Sequence, residues 1–370
     1  MRRILSKRRL SGGMIMYYVA FSVIVLHRLA SSSTLIMVPE IVSHILILAA
    51  SIIFLVKIIL DRHKFSELIA TIALSLLSLY IYFTTGASFF LTTFLAIVAI
   101  KGVSLKSVIK LDVLFKSVFL FSHALLFLLD YIFGLGDALT YISESTKGTS
   151  YFLYFINPNT TGLIATWLAI DILYLYDNPK FKQFILPTIL VIAAFLITRS
   201  RTPFYCYVLY LVLHFFKGEK TLTVAQKIIY PVAALASLII VRFLSVDNGV
   251  FMTLNSVFSG RLLFSAQAFS ETGMQVLPSA AGSEILENFI IDNFYVRCFI
   301  FYGLITLVLF YLPHLFLPKK GAKKAKRISI VTSVYLFFET ALVNVGFGIP
   351  YLMLADSIVN RKDKNEAPKE

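Results

Sequence analysis

Little in this sequence suits a soluble enzyme. Charged residues make up only 15% of the 370 residues, there are two cysteines, and no glycine-rich phosphate-binding loop occurs. Soluble domains usually carry roughly 25% charged residues. Cys206 and Cys298 both lie in apolar runs, without disulfide or metal-ligand spacing. These absences argue against a soluble fold, a nucleotide-dependent activity and a metal site.

Long apolar runs occupy the chain instead. Hydrophobic residues account for 58% of the sequence and the mean hydropathy is +0.83. The runs are about 17–25 residues long, which as a helix crosses roughly 30 Å of hydrocarbon. We therefore predict an all-α polytopic membrane protein, a single transmembrane domain over residues 1–370 with about 12 helices (range ~10–12). The predicted spans are 14–33, 38–59, 65–84, 87–100, 110–133, 158–176, 183–198, 202–216, 225–244, 289–312, 328–345 and 348–359.

The connections between these spans alternate in charge. The basic ones are 61–64, 101–110, 180–182, 217–227 and 319–327. The ones nearly free of lysine are 84–88, 134–150, 245–288 and 346–350. Because positive charge stays in the cytoplasm, both termini are predicted to be cytoplasmic. The net charge of +14 then reflects orientation and attraction to anionic lipid, and no nucleic-acid partner is expected.

Three terminal or loop segments receive specific predictions. The basic start, residues 1–9, is interpreted as the cytoplasmic end of the first span and not as a signal peptide, since no clear small-residue cleavage site follows. Residues 245–288 form one long extracytoplasmic loop, and its apolar side chains lead us to expect that it folds back onto the helix bundle. Residues 361–370 are polar and are expected to be a disordered cytoplasmic tail.

Arginine is distributed differently from lysine. On this topology the cytoplasmic side carries 20 Lys and 7 Arg, whereas the outer side carries 6 Arg and one Lys, Lys147. Only arginine has a planar fork that binds phosphate or carboxylate through two hydrogen bonds. The outer arginines are Arg28, Arg199, Arg201, Arg242, Arg261 and Arg297. The pattern indicates an outer anion site; the alternative is that some of these arginines reach lipid headgroups or pair with nearby acids.

Two of these arginines lie in a very short outer hairpin. The segment Ile197-Thr198-Arg199-Ser200-Arg201-Thr202-Pro203 joins two predicted spans. Pro203 opens the second helix, where its missing N–H costs nothing. The free N–H groups and the dipole of that helix start favour an anion. This hairpin is therefore the first candidate for anion binding.

Together with four other motifs, the hairpin resembles the Wzy-type polysaccharide polymerases, relatives of the O-antigen ligases. Those proteins carry a Ser/Thr-Arg-Thr element between two spans, an Asn-Pro-Asn-Thr segment upstream, and a Gly-Arg pair that opens a large outer loop. An Asn and Tyr pair follows that loop, and a Tyr-Gly lies in the next span. The matching segments are Thr198-Arg199-Ser200-Arg201-Thr202, Asn157-Pro158-Asn159-Thr160-Thr161-Gly162, Gly260-Arg261, Asp292-Asn293-Phe294-Tyr295 and Tyr302-Gly303. The resemblance covers roughly residues 150–310.

The resemblance implies an enzyme of the cytoplasmic (plasma) membrane of a bacterium. It would join oligosaccharide repeat units, each linked to undecaprenyl pyrophosphate, into a surface polysaccharide such as O-antigen, capsule or exopolysaccharide. Membrane lipid, a flippase and a chain-length regulator of the same pathway would be its partners. No metal-ligand cluster occurs in the sequence, so we predict that the activity is metal-independent, and no cofactor is expected. Ligases of this superfamily place a His where this chain has Asp292, and no His occurs in the outer loop. A histidine base is therefore not expected here.

Such a transfer needs a base for the sugar hydroxyl and cations for the departing pyrophosphate. We predict that Asp292 is the base, with Glu271 and Glu284 as alternatives. Arg199, Arg201 and Arg261 are predicted to hold the pyrophosphate. The other predicted substrate-binding residues are Arg297, Arg242, Asn159, Asn293 and Tyr295. The structural alternative for Asp292 is a salt bridge to Arg297.

Two rival functions remain open at this point. A lipid-linked glycan flippase or transporter would be expected to show matched halves and polar residues near the bilayer midplane. An O-antigen-type ligase would transfer the glycan to a different acceptor. Ionisable residues do occur in or near the predicted spans, where charge is costly. They are Asp112, Lys116, His123, Asp130, Asp171, Glu339 and Asp356.

Overall fold

The computed structural model describes residues 11–61, 65–134, 150–244, 247–257, 260–280, 291–318 and 322–366. Within these residues the fold is all-helical, as predicted, and the β-structure is limited to one isolated bridge between Ser33 and Phe155. The helices begin and end near the predicted span boundaries. The first half contains α1 (Gly12–Ser31), α2 (Glu40–Leu60), α3 (Phe65–Thr85), α4 (Ser88–Ala99), α5 (Leu105–Phe133) and α6 (Pro158–Leu175).

The second half alternates long and short helices. It contains α7 (Phe181–Thr198), α8 (Arg201–Phe215), α9 (Glu219–Phe243), α10 (Gly249–Val257), α11 (Arg261–Thr272), α12 (Phe294–Arg297), a π-helical turn (Cys298–Tyr302), α13 (Gly303–Leu315), α14 (Lys323–Phe338), a 3-10 turn (Ala341–Val343) and α15 (Pro350–Glu366). Helix α15 includes residues 361–366, which belong to the tail that was predicted to be disordered, and the prediction for the whole tail stays a prediction. Residues 367–370 lie outside the described residues.

Seven of the described helical segments are long and apolar enough to cross a membrane. They are Gly12–Ser31, Glu40–Leu60, Leu68–Thr85, Leu105–Phe133, Phe181–Thr198, Glu219–Phe243 and Phe294–Leu315. The protein is therefore an α-helical membrane protein. Shorter or more polar helices occupy the other five predicted spans, so the total of about 12 crossings stays a prediction.

The connections gather at two opposite ends of the helix bundle. At one end, which we call the basic end, Lys57 Nζ donates to the Lys101 carbonyl (2.7 Å), and Lys106 and Lys324 both pair with Asp177. At the other end, the Tyr151 N–H donates to the Ile197 carbonyl (3.0 Å). The basic connections and the lysine-poor connections thus lie at opposite ends of the bundle, as expected for a chain that crosses it up and down.

The long loop folds back onto the bundle through backbone hydrogen bonds. The loop segment 275–279 donates hydrogen bonds to two carbonyls of the π-helical turn, those of Phe299 and Phe301. Gln275 N–H donates to the Phe299 carbonyl (2.7 Å), and Leu304 N–H donates back to the Gln275 carbonyl (3.0 Å). Gly303, with φ +77°, sits under this contact, and a Cβ there would lie 2.6 Å from the Leu277 carbonyl carbon.

This packing yields a stability prediction for Gly303→Ala. The new methyl group must displace loop backbone and must also adopt a left-handed conformation, so we expect a loss of about 2–4 kcal/mol. Gly86→Ala is the matched control, because Gly86 has φ +69° but nothing within 4 Å of a Cβ; it should cost about 1–2 kcal/mol. Thermal unfolding of both variants in detergent measures the difference. Equal losses would show that the loop does not press on Gly303.

A segment without α-helix, 339–349, which contains the 3-10 turn Ala341–Val343, passes into the interior of the bundle between α14 and α15. Thr93, in the middle of α4, donates through Oγ1 to the Val343 carbonyl (2.8 Å) and accepts from the Val345 N–H (3.1 Å). A Cβ on Gly348 would lie 3.5 Å from the Trp167 ring. Irregular backbone is tolerated at membrane depth only where protein groups satisfy it, as Thr93 does here. This segment begins at Glu339, which directly follows α14.

Candidate functional site

Two carboxylates share one arginine at the end opposite the basic end. Arg261 Nη1 lies 2.5 Å from Asp292 Oδ2 and 3.1 Å from Glu339 Oε1. The side chains are 37%, 19% and 12% exposed, respectively. The three groups are thus partly desolvated, which strengthens their interaction, and still reachable from outside. Because both ion pairs use Nη1, the other two guanidinium nitrogens lie outside these bridges.

An amide and a hydroxyl extend this cluster toward the arginine hairpin. Asn159 Nδ2 donates to Glu339 Oε1 (2.9 Å), and Ser200 Oγ donates to Asn159 Oδ1 (2.9 Å). Ser200 lies between Arg199 and Arg201 in the two-residue turn that joins α7 to α8. A continuous chain of polar contacts therefore connects the hairpin with the carboxylate pair. We call Asn159, Ser200, Arg261, Asp292 and Glu339 the carboxylate site.

Local structure fixes the α6 side of this site. Asn157 caps α6 by accepting the Thr160 N–H (2.8 Å), and Pro158 occupies the first turn, so Asn159 is held in a rigid helix start. One turn on, Gly162 allows close approach of α8: a Cβ there would lie 2.8 Å from Ser200 Cβ. The Asn159–Ser200 hydrogen bond depends on this close packing.

The other three residues lie at helix ends. Arg261 begins α11 directly after Gly260, whose φ of +84° turns the chain. Asp292 precedes Asn293, which caps α12 by accepting the Val296 N–H (3.1 Å). Glu339 follows the last residue of α14 in extended conformation. Helix ends are positioned by packing, so the site is built on rigid elements.

Electrostatics sets Glu339 apart. Burial, and then the neighbouring Asp292 charge, raise the pKa of Glu339 from its ordinary 4.5 to about 7, with Arg261 opposing the change. Burial lowers the pKa of Arg261, but the charges of Asp292 and Glu339 outweigh it and raise that pKa. A carboxyl group that changes ionisation near neutral pH, outside the spanning helices, is suited to accept and release a proton.

Arg199 and Arg201 flank the site at the protein surface. Both side chains are exposed. Arg199 ends α7 in the left-handed conformation, with φ 54°, and its N–H donates to the Phe195 carbonyl (2.8 Å). A left-handed arginine is strained, and strained residues are concentrated at functional sites. Arg297 also lies close enough to act on Glu339 electrostatically.

Asp292 forms an ion pair with Arg261 and not with Arg297, the partner that the sequence also allowed. Arg297 donates instead through Nε to the Ile291 carbonyl and contacts the Tyr302 hydroxyl (3.4 Å). The alternative considered for Asp292, a salt bridge to Arg297, is therefore not the one the structure shows.

Four other predicted site residues have different surroundings. Asn293 is buried and donates to Ser237 Oγ (2.9 Å), and the buried Tyr295 hydroxyl donates to the Ser333 carbonyl (2.8 Å). Both polar groups are thus engaged within the protein. Glu271 is exposed on the last turn of α11, about 15 Å along the helix from Arg261. Arg242 is exposed with its guanidinium over Phe243 (5.8 Å).

Two site residues were not among the predicted ones. Ser200 was seen only as part of the hairpin, and Glu339 only as a charge near a predicted span. The signal for Glu339 was present, since an acid near a predicted span suggests a functional role. Glu284, an alternative base, lies outside the described residues. Within the described residues no group of three or more His, Cys, Asp or Glu side chains could hold a metal ion.

Comparison with known proteins adds no assignment to this geometry. No family model matches the chain, and neither the curated proteins nor the solved structures contain a match.

Proposed function

We propose that this protein is a metal-independent glycosyltransferase that polymerises undecaprenyl-pyrophosphate-linked oligosaccharide repeat units at the outer face of a bacterial cytoplasmic membrane. The observation that supports it most is the carboxylate site: a proton acceptor with a pKa near 7 joined by hydrogen bonds to an exposed double-arginine hairpin. The motif resemblance supplies the substrate class.

In this reaction the sugar hydroxyl of one lipid-linked unit attacks the anomeric carbon of the growing chain. The bond from that carbon to the pyrophosphate oxygen breaks, and undecaprenyl pyrophosphate leaves with the electron pair. A new glycosidic bond forms, and the hydroxyl proton passes to the Asp292–Glu339 pair. Glu339 is the member that takes the proton, and Asp292 keeps Arg261 in place.

Arg199 and Arg201 receive the departing pyrophosphate in this proposal. Their guanidinium forks suit a diphosphate, and each charged hydrogen bond is worth about 1.5–3 kcal/mol. Because both are exposed beside Ser200, a membrane-bound substrate can reach them without rearranging the bundle. The energy for transfer comes from the glycosyl pyrophosphate itself, which explains the lack of a nucleotide-binding loop.

Deletion of the gene in its host tests the function. The proposal predicts that carrier bearing a single repeat unit accumulates in the outer leaflet and that long polymer disappears. Polymer that is still made but stays on the carrier would indicate the ligase. Accumulation in the inner leaflet would indicate the flippase, and an unchanged polymer ladder would exclude all three. Purified protein with lipid-linked repeat units should then form polymer in vitro.

The orientation can be tested by cysteine labelling, because both native cysteines are buried. Ser270 is exposed on α11, and Asn178 is exposed at the basic end. We expect an impermeant maleimide to label Ser270→Cys in intact spheroplasts and Asn178→Cys only after permeabilisation. The reverse pattern would place the carboxylate site in the cytosol and overturn the proposed function.

A further inference from the structure

A second cluster of charged side chains lies inside the bundle, between α5 and α6. Lys116 Nζ is 2.5 Å from Asp112 Oδ2 and 3.1 Å from Asp171 Oδ2, and all three side chains are 0% exposed. Asp112 and Lys116 are one turn apart on α5, and Asp171 faces them from α6. This cluster, the buried triad, shares no residue with the carboxylate site.

The charges of the buried triad do not balance when all three groups are ionised. Two carboxylates and one ammonium leave a net charge of −1, and an uncompensated buried charge is very costly in a low-dielectric interior. Among the described residues no second cation forms an ion pair with either carboxylate. One additional positive charge is therefore needed.

The geometry shows where that charge belongs. Lys116 Nζ contacts Asp112 Oδ2 and Asp171 Oδ2 at once, so the two carboxylates are neighbours around one ammonium group. Two ionised carboxylates cannot hydrogen bond, since neither has a donor, whereas one protonated carboxyl can donate to the other. Within the described residues, Asp112 Oδ1 and Asp171 Oδ1 have no hydrogen-bond partner. Both oxygens are buried polar atoms that a shared proton would satisfy.

The surrounding helices bring few other titratable groups to this place. Tyr210 of α8 interacts electrostatically with Asp171, and Arg327 of α14 acts in turn on Tyr210. Asp356 of α15 acts on Tyr17 of α1 and on Tyr174 of α6. α7 contributes Lys182, at the start of that helix. Lys116 is thus the cation that directly faces the two carboxylates.

We propose that the buried triad is a proton-binding site in which Asp112 and Asp171 share one proton at neutral pH. The triad is then electrically neutral: one carboxyl is protonated, and the other is ionised and paired with Lys116. This site is independent of the glycan chemistry proposed above, because it would bind its proton whatever the substrate.

Infrared spectroscopy of the purified full chain tests the proposal directly. At pH 7 the wild type should show the C=O stretch of a protonated carboxylic acid, and carbon-13 labelling of aspartate should shift that band. Labelling separates it from Glu339, and Glu339→Gln should leave it in place. Absence of an aspartate band would overturn the proposal. Loss of the band when sodium replaces potassium would overturn it too, since it would assign the charge to a metal cation.

Variants give a second, independent readout. Asn resembles a protonated Asp, so Asp171→Asn should remove the aspartate band and leave the thermal midpoint close to that of the wild type. Asp112→Asn combined with Asp171→Asn leaves Lys116 without a counterion and should lower the midpoint strongly or prevent folding. If Asp171→Asn alone destabilises the protein as much as the double change, the negative charge of Asp171 is needed to balance Lys116 and the proposal fails.

Discussion

Replacing Glu339 with glutamine is expected to reduce polymerisation about 100- to 10,000-fold, the usual contribution of a positioned general base. The substitution keeps the size of the side chain and an oxygen that can accept from Asn159 Nδ2. It removes the negative charge that faces Arg261 and, with it, the ability to take up a proton. Polymer formation by purified protein from lipid-linked repeat units, at equal protein levels, measures the effect.

The pKa of Glu339 determines in which direction the polymerisation rate should change with pH. The pKa of Glu339 is about 7, and the base must be ionised to accept a proton. The wild-type rate should therefore be low below pH 7 and should rise to a plateau above it, while Glu339→Gln should lose this rise. Asp177→Asn, which changes an exposed acid at the basic end, is the control and should keep the wild-type profile. A Glu339→Gln enzyme with wild-type rate would remove Glu339 from the chemistry.

The second large effect is expected for Arg261→Met. This change leaves Asp292 and Glu339 side by side without their cation. Loss of an opposite charge within ~4–6 Å raises a carboxyl pKa by about 1–3 units, so the rise in rate should move up by about one to three pH units. At pH 7 the rate should fall roughly 10- to 1,000-fold, and it should recover in part at higher pH.

Two further variants separate charge from shape. Arg261→Lys restores the positive charge without the fork, so it should return the pH profile most of the way toward that of the wild type. Lys106→Met removes an exposed cation that pairs with Asp177 at the basic end (3.2 Å) and should change neither rate nor profile. If Arg261→Met lowers the rate equally at every pH, Arg261 binds substrate and does not control the acid pair.

The helices could be read from the sequence because apolar run length and charge determine them locally. Each predicted span overlaps a helix in the described residues. Pro158 begins α6, and Pro203 lies in the first turn of α8, where a missing N–H is tolerated. The region after α14 differs. Hydropathy predicted a span over 328–345, but the α-helix ends at Phe338, and segment 339–349 enters the bundle with only the 3-10 turn Ala341–Val343. Hydropathy indicates whether a segment prefers an apolar environment, but it does not show whether the backbone of that segment is helical.

The carboxylate site was predicted only in part. Arg261, Asp292 and Asn159 were recognised because they fall in motifs, and they do form one cluster. Glu339 belongs to none of those motifs and lies 47 positions after Asp292, so only tertiary packing reveals the pair. Glu271 is separated from Arg261 by the length of α11, because the two residues lie at opposite ends of that helix. The roles of these residues in catalysis stay predictions.

The outer arginines also turned out to be heterogeneous. Composition alone treated six of them as one group, since all differ from lysine in the same way. Arg261 balances two acids, and Arg28 packs over the Phe347 ring (4.3 Å) beside the entering segment. Arg199 and Arg201 are exposed. A residue count shows an excess of guanidinium groups, but only the structure distinguishes arginines engaged with protein from those facing outward.

The position of Glu339 in the chain has a consequence for biogenesis. A ribosome delivers residues 159, 200, 261 and 292 to the translocon before it reaches 339, so a nascent chain holds Arg261 and Asp292 while the third ionic partner is still unsynthesised. The carboxylate site would therefore stay incomplete until α14 and Glu339 have been synthesised. A premature stop codon anywhere before codon 339 should consequently yield a polypeptide that inserts into the membrane but lacks a complete carboxylate site.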